Sequence, residues 1–109
     1  MIKTRLALQE KLEEIMGGKY VYFQPPASVS LKYPCIVYSL SNIKSNNADN
    51  IKYLKDYKYT ITLIHNDPDN CLVDEILKLH YITLENSFAT QGLYHYVYTL
   101  YFKKEKENR

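Results

Sequence analysis

With 109 residues, of which 46% are hydrophobic and 24% are charged, the chain has the size and composition of one globular domain and not of a disordered or fibrous protein. Fourteen Lys and Arg against twelve Asp and Glu give a net charge of +2, which is too small for the basic face that non-specific nucleic-acid binding requires. Charged side chains interrupt residues 1–16, so we expect neither a signal peptide nor a membrane span, and we expect synthesis in a reducing cytoplasm.

Two short elements are predicted at the start of the chain. Over residues 2–16, apolar side chains recur every three to four positions between charged ones, which is typical of an amphipathic helix. Gly17 and Gly18 should end this helix, because glycine accepts the left-handed conformation found at helix C-termini. Residues 20–23 are aromatic or β-branched and precede two prolines, so they predict a brief strand that leads into a rigid turn.

Two longer strands and a loop follow. Residues 35–40 form an almost unbroken apolar run, whose length suits a central strand buried on both faces. Residues 41–52 are rich in Asn and poor in apolar side chains, which predicts an exposed, mobile loop. Over residues 57–64, aromatic or apolar side chains alternate with more polar ones, as a strand with two different faces requires.

A second helix is predicted after this strand. Asp67 stands directly before Pro68, which places an N-cap acceptor ahead of a proline at the first helical position. The helix should run to about Lys78, with its apolar side chains on one face. It should therefore pack on the sheet.

The last part of the chain predicts two strands and a tail. Residues 79–84 are interpreted as a strand, and residues 86–92 supply turn residues. Residues 94–102 give the strongest strand pattern of the chain, with Tyr, Leu and Phe at alternate positions. Residues 103–109 are predicted as a charged, flexible C-terminal tail.

These elements predict an α+β fold, with a mixed, mainly antiparallel sheet of four to five strands and two helices packed on one side, in a single domain over residues 1–102. The chain has twelve tyrosines and no tryptophan, and tyrosine suits both strands and protein interfaces. Two short helices can cover only part of one face of such a sheet, so the other face or an edge is expected to contact a partner.

A metal site has little support in the sequence. His65, His80 and His95 fall on three different predicted elements, and none has a second ligand at helical i, i+4 spacing. Asp67 and Asp69 lack the glycine turn and the late glutamate of a calcium-binding EF-hand loop, so we interpret Asp67 as a helix cap. We predict neither a metal nor a cofactor.

Catalysis and specific nucleic-acid binding have no better support. Cys35 and Cys71 lack the C-x-x-C spacing of zinc or redox sites and the signature of a nucleophile, so both are predicted to be buried and inert. Tyrosines near Lys52 and Lys58 suggest a platform for stacking single-stranded bases, but nearby aspartates dilute the charge, and packing within a strand explains the alternation. No catalytic residue is predicted.

Four segments in a fixed order carry a resemblance to a known family. They are Tyr-Pro-Cys-Ile-Val-Tyr at 33–38, Ala-Asp-Asn-Ile-Lys-Tyr at 48–53, His-Asn-Asp-Pro-Asp-Asn at 65–70 and Leu-Tyr-His-Tyr-Val-Tyr-Thr-Leu-Tyr-Phe at 93–102. The ordered set, which spans about the whole chain, resembles the small tail-completion, tail-terminator or neck proteins of phages and prophages of Gram-positive bacteria.

The resemblance implies a structural component of the virion, made in the cytoplasm of the bacterial host. Members of this family form a ring, commonly a hexamer, at the end of the phage tail tube, where they stop tail polymerisation and offer a surface to the head connector. The expected partners are therefore other copies of the chain, the tail tube and the head connector. No active site, cofactor or membrane contact is implied.

On this basis we predict two parts of the interface. The side chains of Tyr94, Tyr96, Tyr98 and Tyr101 should divide between the core and the contact between subunits. Residues 41–55 should face the lumen of the ring or a neighbouring ring. The polar residues proposed for that contact are Asn46, Asn47, Asp49, Asn50 and Lys52.

Two other classes of function remain open at this stage. A small adaptor domain that binds one partner through a sheet edge would have a similar sequence without forming rings. A metal-dependent enzyme would require the three histidines to converge in a cleft.

Overall fold

The computed structural model describes residues 4–18, 20–47 and 53–105. In chain order, the elements are helix α1 (Arg5–Met16), strands β1 (Val21–Phe23), β2 (Cys35–Asn47) and β3 (Tyr53–His65), helix α2 (Leu72–Leu77), and strands β4 (Ile82–Thr90) and β5 (Leu93–Glu105). The described strands form one five-stranded sheet in the order β1-β2-β3-β5-β4. β1 and β2 are parallel and the other pairs are antiparallel, which confirms the predicted α+β fold with a mixed, mainly antiparallel sheet.

The first helix has a capping group at each end. The side chain of Thr4 accepts a hydrogen bond from the backbone N–H of Ala7 at 3.0 Å, which satisfies one of the free donors of the first turn. Gly17 adopts φ = 81°, and the next residue, Gly18, donates a backbone hydrogen bond to Glu13. The predicted glycine stop is thus confirmed, because the left-handed conformation closes the last turn.

The hydrophobic core lies between the two helices and one face of the sheet. Leu8 and Leu12 of α1 and Ile76 of α2 are fully buried against it. The strands contribute side chains at alternate positions, which the register places on the same face. These are Ile36, Tyr38, Tyr59, Ile61, Leu63, Tyr98 and Leu100. Both helices therefore cover one side of the sheet, as predicted.

A hydrogen-bond network at this interface links α1 to β2. The hydroxyl of Tyr38, whose side chain is buried, accepts a hydrogen bond from Arg5 Nη1 at 3.2 Å and donates one to Gln9 Oε1. Gln9 also donates to the backbone oxygen of Val21 at 3.3 Å, and the guanidinium of Arg5 lies 4.6 Å from the ring centre of Phe23. Burial raises the pKa of Tyr38, so this hydroxyl remains a donor at neutral pH.

The second helix begins later than predicted. Asp67 does not cap it: its Oδ1 accepts a hydrogen bond from the N–H of Asp69 at 2.9 Å and so forms a local turn. Instead, Asn70 Oδ1 accepts from the N–H groups of Leu72 and Val73, the first residues of α2. The prediction of a helix from Pro68 was wrong, because the side chain of Asp67 bonds to the nearby N–H of Asp69 instead of to the helix. The side chain of Asn70 therefore caps the first turn.

The predicted loop over residues 41–52 is largely strand. β2 continues through Asn47 and pairs with β3 from Asn47↔Tyr53 to Asn42↔Lys58, with a register irregularity between Leu40 and Asn42. The prediction was wrong for residues 41–47, because pairing with β3 satisfies the backbone groups whether or not the side chains are apolar. Residues 48–52 lie outside the described part of the chain.

The last two strands are longer than predicted and closer together. β4 covers most of the segment predicted as a turn, and Gln91 and Gly92, at φ = 53° and 77°, turn the chain between Thr90 and Leu93. A two-residue turn with two positive φ values matches the twist of a β-hairpin. β5 pairs with β3 as far as Glu105, three residues into the predicted tail, whereas residues 106–109 lie outside the described residues.

Candidate interaction surface

The predicted interface tyrosines lie on both faces of β5. Tyr94, Tyr96 and Tyr98 share the helix-covered face, whereas Tyr101 lies on the opposite face and is 47% exposed. Tyr98 is fully buried, and its hydroxyl donates to the backbone oxygen of Val73 in α2 at 3.2 Å. Tyr96 is partly buried against the core. Of the four tyrosines predicted to divide between core and interface, Tyr98 therefore belongs to the core and Tyr101 to the surface.

The polar residues predicted for the interface lie far from Tyr94. Asn46 and Asn47 end β2, where they pair with Leu54 and Tyr53. Tyr94 pairs with His65 at the other end of β3, about 36–40 Å away at roughly 3.3 Å per residue along the strand. The structure therefore does not gather the predicted residues into one site. The remaining three, Asp49, Asn50 and Lys52, lie outside the described residues.

A three-stranded extension forms one end of the sheet. β1 ends opposite Tyr38 and β4 begins opposite Leu100, so beyond these positions β2, β3 and β5 continue without an edge strand from the described part of the chain on either side. This extension consists of residues 42–47, 53–58 and 101–105. It carries the basic residues Lys44, Lys55, Lys58, Lys103 and Lys104 and the acidic residues Asp56 and Glu105.

The sheet face opposite the helices, here named the open face, is rich in hydroxyl groups. Ser39, Thr60, Thr99 and Thr83 are register partners, so they form one row across β2, β3, β5 and β4. Ser41 hydrogen-bonds to Thr60 on this face. Thr99 is buried in the row, while Thr60 is only half-buried. Cross-strand contacts between neighbouring β-branched and hydroxyl side chains stabilise this row.

The free edge of β4, here named the β4 edge, is a long unpaired hydrogen-bonding surface in the described sheet. β4 pairs only with β5, and all of its side chains except Ile82 are exposed. Its nine residues contain no Pro, Lys or Arg, and Glu85 is its only charged residue. Exposed edge strands usually carry Pro or charged side chains, especially Lys, because these residues discourage pairing with another chain. Glu85 and a register irregularity between Leu84 and Asn86 are the protective features present in β4.

Exposed apolar side chains flank the β4 edge on both sides. Tyr81, directly before β4, is 65% exposed, and Leu84 and Phe88 are 37% and 47% exposed. The ring of Phe88 stacks on His95 of β5, with 4.7 Å between ring centres and 7° between planes. Sequence reasoning missed this surface because Asn86 and Ser87 are typical turn residues; the available signal was the alternate spacing of Ile82 and Leu84 ahead of them.

The structure separates the groups that had been considered for chemistry. His65 and His95 lie on paired strands, but His65 is opposite Tyr94 and His95 is opposite Ile64, so the two side chains project from opposite faces. His80 lies between α2 and β4. Within residues 4–18, 20–47 and 53–105, no three side chains of His, Cys, Asp or Glu lie together so that they could hold a metal ion.

The two cysteines have different environments. Cys35 is fully buried at the start of β2, and burial raises the pKa of its thiol to about 11. Cys71 is exposed directly before α2, so the prediction that both thiols are buried was wrong for Cys71. The apolar neighbours in its sequence belong to α2, which turns them towards the core and leaves Cys71 outside.

Comparison with protein-family models gives no match to this chain, and no curated protein matches it. Among the described helices, none has the length and apolar character needed to span a membrane.

Proposed function

We propose that this chain is a structural subunit of a phage virion that forms a ring at the end of the tail, as a tail-completion, tail-terminator or head-to-tail connector protein. The proposal rests on the ordered resemblance of the segments at 33–38, 48–53, 65–70 and 93–102. The structural observation that supports it best is the β4 edge, which leaves a long row of backbone donors and acceptors available to another chain.

The architecture is suited to this role for a second reason. A ring subunit needs separate surfaces for its two neighbours in the ring and for the structures above and below it. The two outer strands, the open face and the three-stranded extension are four distinct surfaces of one sheet. In the proposal, the extension and residues 48–52 face the lumen or a neighbouring ring, and no catalytic group or cofactor is required.

An adaptor domain is the second candidate, and the β4 edge favours it as well. A strand of a partner protein could pair with this edge, with Leu84 and Phe88 contacting its alternate side chains. Such an adaptor would use a single edge and would not assemble with itself. Self-assembly therefore distinguishes the two functions.

The test is a measurement of size by analytical ultracentrifugation over a wide range of protein concentration, together with negative-stain microscopy. Rings of uniform size, and tail tubes that acquire capped ends when the protein is added, are the expected results. Tail tubes that continue to elongate in the presence of the protein would contradict the proposal. Bovine serum albumin at equal concentration controls for non-specific effects on tube length.

Residues 48–52 allow a separate test of the lumen assignment. Replacing them by a two-residue Asn-Gly turn should leave the free subunit folded, because the turn suits a β-hairpin, but should impair completion of particles. Phage that carry this change and remain fully infectious would refute the assignment of residues 48–52 without affecting the ring itself.

A further inference from the structure

The two outer strands of the sheet have the directions that continued pairing requires. β1 is parallel to β2, and successive antiparallel pairs from β2 to β4 make β4 run opposite to β1. If a second copy lies beside the first with its sheet facing the same way, its β1 comes next to β4 in antiparallel orientation. Its helices then lie on the same side as those of the first copy.

The hairpin turn determines which backbone groups of β4 face away from the sheet. Thr90 and Leu93 close the two-residue turn, so Thr90, Phe88 and Asn86 direct their backbone groups towards β5. The intervening residues, Ser87 and Ala89, therefore direct theirs away from the sheet. On the opposite edge, Ile36 N–H donates to Tyr20 O and Gln24 N–H donates to Tyr38 O, so the backbone groups of Val21 and Phe23 face away from β2. The oxygen of Val21 accepts from Gln9 Nε2 at 3.3 Å, so the N–H groups of Val21 and Phe23 are the donors for a further strand.

The charges are complementary between the β4 edge and the segment that contains β1. Two β4 strands in antiparallel contact around Asn86 would bring the two copies of Glu85 close together, and like charges across a strand pair are destabilising. Residues 20–33, which contain β1 and its connection to β2, carry Lys32 as their only charged residue, and it is exposed. Glu85 in β4 and Lys32 in the connection from β1 to β2 carry opposite charges, which are complementary.

We propose that the β4 edge of one copy docks against the β1 edge of the next copy and extends the sheet from subunit to subunit. This inference rests on the ring proposed above and identifies its subunit contact. Tyr20, which is 40% exposed beside β1, and Leu84 and Phe88 on β4 supply apolar surface around the paired backbones. Because the contact is between two different surfaces, it repeats around the ring and closes when the rotation per subunit divides a full turn.

The first test is Ser87→Pro in the full-length chain, compared with Ser87→Ala. Proline removes an outward-facing N–H and leaves the pairing with β5 in place, whereas alanine keeps the N–H. We expect Ser87→Pro to raise the protein concentration at half assembly by about tenfold or more, and Ser87→Ala to change it little. Circular dichroism and urea unfolding of the diluted monomer establish that both variants fold.

The second test identifies the strand that pairs with β4. Glu85→Lys and Lys32→Glu should each weaken self-assembly, and an equimolar mixture of the two variants should restore it, since each contact then joins opposite charges. Hydrogen exchange should show that the amides of Val21, Phe23, Ser87 and Ala89 become protected together on assembly. Protection of the β4 amides alone, or a mixture no better than its components, would overturn the pairing of β4 with β1.

The outcomes separate this contact from the proposed function. A wild-type chain that stays monomeric at every concentration, or a Ser87→Pro variant that assembles like the wild type, would overturn the contact. Capping of tail tubes by the wild-type protein would still support the ring function in either case. Conversely, β4-dependent oligomers that never cap tail tubes would support the contact and refute the function.

Discussion

Replacing Tyr38 by phenylalanine removes one hydroxyl group from the interface between α1 and the sheet. The ring is buried and stays in place, so the change leaves the packing volume almost intact. It removes a hydrogen bond from the charged Arg5, 3.2 Å away, and another to Gln9. Hydrogen bonds contribute about 0.5–1.5 kcal/mol between neutral groups and about 1.5–3 kcal/mol when one group is charged.

The expected loss for Tyr38→Phe is about 1.5–2.5 kcal/mol, below the sum of the two bonds, because Arg5 and Gln9 are only half-buried and recover part of their bonding from water. Urea unfolding followed by circular dichroism measures this loss of stability. An unchanged slope of the free energy of unfolding against urea concentration would show that the folded state is as compact as before. Tyr101→Phe is the matched control, since this hydroxyl is on an exposed side chain, and it should change stability by less than about 0.5 kcal/mol. Equal effects of the two substitutions would refute the role assigned to the network.

Three further predictions concern the cysteines, the start of α2 and the last turn. Cys71 should react with a maleimide in the folded protein while Cys35 stays protected, and equal labelling of both thiols would contradict the burial of Cys35. The thiol of Cys35 has a pKa of about 11 in the folded protein and its ordinary pKa of 9.0 in the unfolded chain. The stability of the wild type should therefore fall relative to Cys35→Ala as the pH rises from 9.0 to about 11. Asn70→Ala should cost about 0.5–2 kcal/mol in urea unfolding, because two N–H groups of α2 lose their acceptor, whereas Asn70→Asp should retain most of that stability. Gly92→Ala should lower the free energy of unfolding by about 1 kcal/mol through the positive φ alone, since a Cβ there meets no atom within 4 Å. Gly92→Asn should lower it less, because Asn tolerates the left-handed conformation. A larger loss for Asn than for Ala would show that the turn is not left-handed at this position.

Local sequence patterns were sufficient where the cause of the structure is local. The spacing of Leu8 and Leu12 and the glycine stop at Gly17 determined α1, because periodicity and backbone conformation act within a few residues. The alternation over residues 94–102 and the apolar run at 35–40 likewise predicted β5 and the first part of β2. The division into a helix-covered face and an opposite face followed from the same alternation.

The errors lie where a partner elsewhere in the chain decides the outcome. Asn46 and Asn47 have poor strand propensity, yet they belong to β2 because Leu54 and Tyr53 satisfy their backbones. Asn86 and Ser87 belong to β4 for the same reason, since β5 pairs with them over residues 96 and 97. A sequence pattern records side-chain preference, whereas an antiparallel ladder is stabilised by backbone groups that every residue except proline carries.

The candidate interaction surface depends on the order of the strands, which no local pattern contains. The sequence by itself determined the fold class, the helix-covered face and the abundance of tyrosine available for contacts. The tertiary structure alone decided that Tyr98 is in the core, that β4 lies at an edge, and that β1 and β4 run in opposite directions at the two sides of the sheet. These facts arise from long-range pairing, in which residues distant along the chain compete for the same hydrogen bonds, and only the folded chain resolves that competition.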